Sequence, residues 1–185
     1  YIPGFYSTVS VFITKIFPAK YEINTFYLIN LVFSFFTSVG IFKITSELFN
    51  KKVGKIVFLI CLLNPIFFGH MSINSKDTIV AFSNVWSTYL FLRYLKNQEI
   101  TEKRNYYVIL AGLTVGLGVG TRIVFLGTLV PIFILAILEI MFFKKIINSK
   151  FSIKKFIIDI LKILVIAYLI MVVFWPNAHS NIFTE

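Results

Sequence analysis

Six apolar runs, most of them about as long as a bilayer is thick, leave this chain little choice of surroundings. They cover approximately residues 25–49, 54–71, 77–95, 105–120, 122–143 and 156–175 of 185. A helix needs about 20 apolar residues to cross a hydrocarbon core of about 30 Å. Within that core no water can satisfy an exposed backbone group, so a spanning segment must bond to itself. The expected fold is therefore all-α, a polytopic transmembrane helical bundle with about six spanning helices within 25–175. Composition supports this where it counts. Charged residues make up 14% of the chain, mean hydropathy is +0.86, and Phe alone occurs 22 times. A soluble domain carries about a quarter charged residues. The fourth run is short and glycine-rich, which suits a helix that is tilted, broken or packed deep between neighbours.

Before the first run, Phe5, Val9, Phe12 and Ile16 recur at helical spacing opposite Ser7, Ser10, Thr14 and Lys15. This pattern predicts an interfacial amphipathic helix over 1–20, ended by Pro18. A truncated spanning helix is the alternative. Residues 1–185 read as a single transmembrane domain that is a fragment of a longer chain, since it opens on Tyr1 and stops at Glu185.

Basic residues fix an orientation. Eleven fall in three connections: Lys51, Lys52 and Lys55; Lys96, Lys103 and Arg104; Lys144, Lys145, Lys150, Lys154 and Lys155. The opposite side carries four, Lys15, Lys20, Lys76 and Arg122, while Lys43, Arg93 and Lys162 lie within helix turns near the first group. The positive-inside rule puts the eleven in the cytoplasm. The net charge of +10 is then topological and faces anionic lipid, not nucleic acid, because it is split among short loops. Both histidines, Lys76, Asp77 and Arg122 fall on the outer side. The inner side is expected to hold ordinary solvated Lys and Glu, with Asp159 and Glu139 paired to Lys155, Lys162 or Lys145.

Three outer stretches carry the candidate chemistry. The first is Asn64 to Asp77, NPIFFGHMSINSKD. Ionisable residues at a membrane edge are costly unless satisfied, which makes Lys76 and Asp77 functional candidates. Lys76 would bind a phosphate, and Asp77 would pair with that cation or orient a sugar hydroxyl. The plainer reading is a helix start, with Ser75 as cap and Asp77 favoured by the dipole. His70 alone is as easily a packed interfacial residue. The second stretch is Gly112 to Arg122, GLTVGLGVGTR. Gly112, Gly116 and Gly120 share one helix face and admit a close neighbour. Arg122 has no acid nearby in sequence, so it either binds an anion such as phosphate or snorkels to headgroups. The third is Trp175 to Asn181, WPNAHSN, with an interfacial Trp175 and with His179 as a possible base or ligand. No His or Cys cluster occurs, Cys61 being the one cysteine, so neither metal nor cofactor is expected.

Pro65, Phe68, Gly69, His70, Asn74, Lys76 and Asp77, then Gly112, Gly116, Gly120 and Arg122, then Trp175, Pro176, Ala178 and Asn181 form an ordered set. In that order they resemble bacterial glycosyltransferases of the GT-C fold, related to protein O-mannosyltransferases and to the aminoarabinose transferase of lipid A. The resemblance implies a multi-pass protein of the bacterial inner membrane. It implies a polyprenyl-phosphate-linked sugar as donor, an acceptor that could be protein, lipid or polymer, and inverting transfer on the extracytoplasmic face. It further implies an acidic general base in an outer loop before Tyr1; Glu22 is not assigned that role. The donor-site residues it suggests are Lys76, Asp77, Arg122, His70, Asn74, Trp175 and His179.

Two other classes compete. A transporter or flippase would show polar groups near the midplane and an internal repeat. Ser34, Thr37 and Ser38 are the main mid-helix polar residues, and no repeat is visible. A non-catalytic membrane scaffold would lack the acidic base.

Overall fold

The computed structural model describes residues 22–65, 67, 69, 74–147 and 151–174, together with Phe5, Thr8, Phe12, Ile13 and Lys15. The described residues form helices and no strand. The helices are α1 (Glu22–Leu48), α2 (Lys51–Leu63), α3 (Ser75–Asn97), α4 (Thr101–Thr121), α5 (Phe125–Leu138, continued by a π-helical turn Glu139–Phe143) and α6 (Ile153–Phe174). The helix expected over 1–20 lies outside the described residues apart from those five positions. Of these, Phe5 is buried edge-on against Phe33 of α1 and Phe174 of α6, with ring centroids 6.2 and 4.8 Å away.

Short links force neighbours to alternate in direction. Phe49-Asn50 joins α1 to α2, and 98–100 joins α3 to α4. Cross-helix partners show that α1, α3 and α5 run one way and α2, α4 and α6 the other. Glycine 40 on α1 meets Val85 and Trp86 on α3, while Glu47 further along meets Arg93. In contact order the helices form a row, α2–α1–α3–α4–α6, with α5 lying over α3 and α4. The start of α3 and the end of α4 therefore lie at one end of the bundle.

Among the described residues three helices are long and apolar enough to cross a membrane: Ile23–Leu48, Phe125–Phe143 and Ile153–Phe174. Helices α3 and α4 have the length but bury polar side chains between neighbours, among them Ser83 and Ser87. The expected span over 54–71 differs most. Its helix, α2, ends at Leu63, because Asn64 adopts the extended conformation (ψ 116°) that a following proline requires. Thirteen residues reach only about 20 Å. The fourth run is an unbroken 21-residue helix packed between α3 and α6.

The α4–α6 contact is the closest in the bundle that the sequence pattern anticipates. A Cβ added at Gly112 would lie 2.7 Å from Ile166 Cβ, and one at Gly116 would lie 2.7 Å from Ile170 Cβ. Without those glycines the two parallel helices could not approach, and van der Waals contact is what holds helices together where no water is displaced. Gly120 is looser, 3.8 Å from the Met171 backbone.

The lysine-rich end is not simply solvated, contrary to expectation. Asp159 is buried, accepts from the Tyr94 hydroxyl at 3.0 Å, and lies 3.5 Å from Arg104 and from Lys162. Gln98 extends the network, donating to the Tyr94 hydroxyl and to the Ser152 carbonyl, both at 3.1 Å. Lys162 is one of the partners foreseen; Tyr94 and Arg104 are too distant in sequence to foresee. Glu139 accepts from the backbone N–H groups of Ile146 and Ile147 instead of pairing with Lys145. Glu47 joins Arg93 at 3.1 Å and Lys96 at 3.0 Å, tying α1 to α3.

Substitution separates the tight from the loose glycine. Gly116→Val should lower unfolding stability of the intact protein in micelles by about 3 kcal/mol, by overpacking against Ile170. Gly120→Ala should be close to neutral. Equal losses at both positions would contradict the packing described.

Candidate active site

Helix α3 is started by Asn74, not Ser75. The Asn74 carboxamide oxygen accepts from the Asp77 backbone N–H at 3.4 Å, and its nitrogen donates to Asp77 Oδ2 at 2.6 Å. The Thr78 hydroxyl donates to the Asn74 carbonyl at 2.6 Å. The first of these bonds satisfies a backbone N–H that a helix start leaves open. Together they hold the Asp77 carboxylate in the first turn, where the helix dipole favours it.

Arg122 is the residue at which α4 stops. Its backbone N–H bonds to the Gly118 carbonyl at 3.0 Å, and its φ of −150° and ψ of 125° turn the chain out of the helix. Phe125, fully buried, packs on Gly118, where an added Cβ would lie 2.6 Å from the ring. Because α3 and α4 are antiparallel neighbours, the start of one and the end of the other meet. Arg122 Nη1 lies 2.6 Å from Asp77 Oδ1, across 45 positions of sequence.

This pairing changes what the sequence suggests. Arg122 has an anion, but it is a carboxylate, and Asp77 pairs with Arg122 and not with the adjacent Lys76. Lys76 is exposed and forms no ion pair among the described residues. Both Asp77 oxygens are engaged, one by Arg122 and one by Asn74, so the carboxylate is oriented. The two paired side chains are half exposed, 50% for Arg122 and 49% for Asp77. The guanidinium can thus reach a second anion without leaving the helix end. With Lys76, the cluster carries a net charge of about +1, which suits an anionic group.

Next to the pair lies a pocket of ≈ 330 Å³ lined by Ser34, Thr37, Phe67, Asn74, Asp77, Thr78 and Ala81. That volume is at the lower end of ligand-sized cavities. Ser34 and Thr37 come from α1, which runs parallel to α3. The Thr37 hydroxyl donates to the Phe33 carbonyl at 2.8 Å. Sequence reasoning did not place Ser34, Thr37 or Thr78 at the site. Hydroxyls four residues or fewer apart in an otherwise apolar run were the available signal. His70, Trp175 and His179 lie outside the described residues. Among the described residues no three His, Cys, Asp or Glu side chains converge as a metal site would need.

One protein-family model matches residues 5–177, and its description is dolichyl-phosphate-mannose-protein mannosyltransferase. The chain belongs to this family. No curated protein and no solved structure matches it. The matched region takes in Asn74, Lys76, Asp77, Arg122 and Trp175 and stops short of His179. Family membership, with the apolar helices, makes this a multi-pass membrane glycosyltransferase of mannosyltransferase-like, GT-C type.

The exposure of the Asp77–Arg122 pair decides its energetic role. Half-exposed pairs contribute about 0.2–1 kcal/mol. A double-mutant cycle of Asp77→Asn and Arg122→Gln, read by denaturant unfolding of the mannosyltransferase, should give a coupling below about 1 kcal/mol. A coupling of several kcal/mol would mark the pair as a buried structural element.

Proposed function

We propose that this protein transfers a sugar from a polyprenyl-phosphate-linked donor to an acceptor, with inversion, at the bundle end that holds Asp77 and Arg122. The observation that carries this reading is the half-exposed Asp77–Arg122 pair beside a hydroxyl-lined pocket. The lysine-poor character of that end supports an extracytoplasmic active face, and the family resemblance a bacterial cytoplasmic membrane.

In such a transfer the acceptor oxygen attacks the anomeric carbon from the face opposite the phosphate. The bond from carbon to phosphate oxygen breaks, and the lipid phosphate leaves with the electron pair. A base takes the acceptor proton. Charge therefore grows on the phosphate in the transition state, and positioned cations stabilise it there. Arg122 presents a planar fork suited to a phosphate, and Lys76, one residue from Asp77, adds a second positive charge. Asp77 keeps the guanidinium aimed while the donor is absent. When the donor binds, its phosphate shares Arg122, and the carboxylate, still held by Asn74, faces the sugar hydroxyls. Ser34 and Thr37 supply further hydroxyls to the same pocket. His70 and Trp175 are assigned to shaping its rim.

Asp77 is a poor choice of general base, since both oxygens are already engaged. The base is assigned instead to the acidic outer loop that the family resemblance implies.

The experiment is sugar transfer by the intact enzyme in membranes, with polyprenyl-phosphate mannose as probe. Arg122→Ala should lower turnover on the order of a hundredfold, the effect of deleting one charge-stabilising donor. Lys76→Ala should fall in the same direction by less, because its ammonium is exposed. Normal turnover in both variants would remove this site from the reaction.

A further inference from the structure

A second, larger concavity opens at the other side of α3. It measures ≈ 700 Å³ and lies between α1 and α4, with α3 as its floor. Val32, Phe33 and Phe36 form one wall, Leu110, Leu113 and Leu117 the other. One charged side chain lines it: Lys43, near the lysine-rich end, beside Tyr89, Tyr106 and Tyr107. The walls reach the surface, since Val32, Phe36 and Tyr106 are exposed.

Lys43 is unusual for its position. Its ammonium sits 5.5 Å from the centroid of the Tyr89 ring, within cation–π range. The carboxylate that helical spacing offers it, Glu47 at i+4, is taken by Arg93 and Lys96. Among the described residues Lys43 has no ion pair. A cation set inside a spanning helix is expensive unless an anion meets it.

The groove has the length of one lipid leaflet. Val32 to Lys43 on α1 is twelve residues, as is Tyr106 to Leu117 on α4, and each run makes eleven helical rises. At 1.5 Å per residue each wall is about 16 Å long, half of a hydrocarbon core of about 30 Å. The cation stands at the headgroup end of that leaflet and apolar side chains continue from it.

We infer that the α1–α3–α4 groove binds an anionic phospholipid of the leaflet at the lysine-rich end, its phosphate at Lys43 and one acyl chain along Phe36 and Leu113. Basic pockets between spanning helices recognise lipid headgroups in this manner. Tyr106, exposed, lies at the same end, where a phenol hydroxyl suits the headgroup layer, while the Tyr107 hydroxyl accepts from Arg93. The phosphate contact at Lys43 is distinct from the Asp77–Arg122 site, which lies at the opposite end of the same helices.

Native mass spectrometry of the intact protein, delipidated and titrated with phosphatidylglycerol or phosphatidylcholine, tests the inference. Phosphatidylglycerol should bind more tightly, with one preferred copy. Lys43→Gln should weaken that copy about tenfold, the loss of one charge-assisted contact, and Lys43→Arg should restore it. Leu113→Trp, which fills the groove without touching the charge, should weaken both lipids. Arg122→Ala should leave phosphatidylglycerol binding unchanged, which keeps this result separate from any failure of the donor site. Equal retention of the two lipids, or indifference to Lys43→Gln, would overturn the inference, as would loss of binding in Arg122→Ala alone. A groove covered by another segment of the intact chain would show no preferred lipid, and that too would overturn it.

Discussion

The close approach of α4 to α6 is the constraint on which the rest of the bundle depends. In hydrocarbon, apolar helices gain nothing by hiding from water, so contact distance decides whether they associate. Gly112 and Gly116 remove the side chains that would hold α6 away, and Ile166 and Ile170 fill the space. That contact holds α4 from behind, and α4 in turn presents its other faces to α3 and α5. The same stretch of glycines serves α5 through Gly118, on which Phe125 is seated. Arg122 follows directly, its backbone bonded to the Gly118 carbonyl. The position of the one arginine at this end is therefore a consequence of helix packing several residues earlier.

The two ends of the bundle spend their charges differently. At the lysine-rich end Asp159 is buried and meets Tyr94, Arg104 and Lys162, while Glu47 and Glu139 are each bonded at least twice. Breaking one partner of such a network strands a charge in a poor solvent, which is strongly destabilising. At the other end Asp77 and Arg122 stay half in contact with solvent. Their attraction is screened and their stabilising effect small. A pair that contributes little to folding can be rearranged by a ligand at little cost. Burial thus separates charges that hold the bundle from charges that remain free for chemistry.

The helical, multi-pass architecture was legible because hydrocarbon allows so few alternatives, and the glycine face because four-residue spacing is a local signal. The family was legible from the order of three motifs. What escaped was non-local. Nothing near Arg122 in sequence announces Asp77, and nothing near Asp159 announces Tyr94. Each pair forms because antiparallel or adjacent helices bring distant positions to one level. The end of α2 at Asn64 was legible in Asn64-Pro65, because a residue before proline is driven to the extended conformation that Asn64 adopts. Asn74 also outcompeted Ser75 for the cap of α3, since its carboxamide both accepts from the backbone and donates to Asp77.

Ser34 and Thr37 show how a polar residue in an apolar helix takes its meaning from its neighbour. Their hydroxyls could have served only their own helix, and Thr37 does donate to the carbonyl one turn back. Parallel packing of α1 against α3 brings them to the pocket that Asn74, Asp77, Thr78 and Ala81 also line. Further along the same interface Gly40 lets α3 come close, and the Trp86 indole donates to the Phe36 carbonyl at 3.0 Å. Beyond that, Lys43 faces Tyr89 and Glu47 grips Arg93. One pair of helices thus runs from the pocket beside Asp77, through a glycine contact and a backbone-bonded tryptophan, to an ion pair. The register that sets Gly40 against Val85 and Trp86 is the register that sets Glu47 against Arg93, so a slip of one turn would break both contacts.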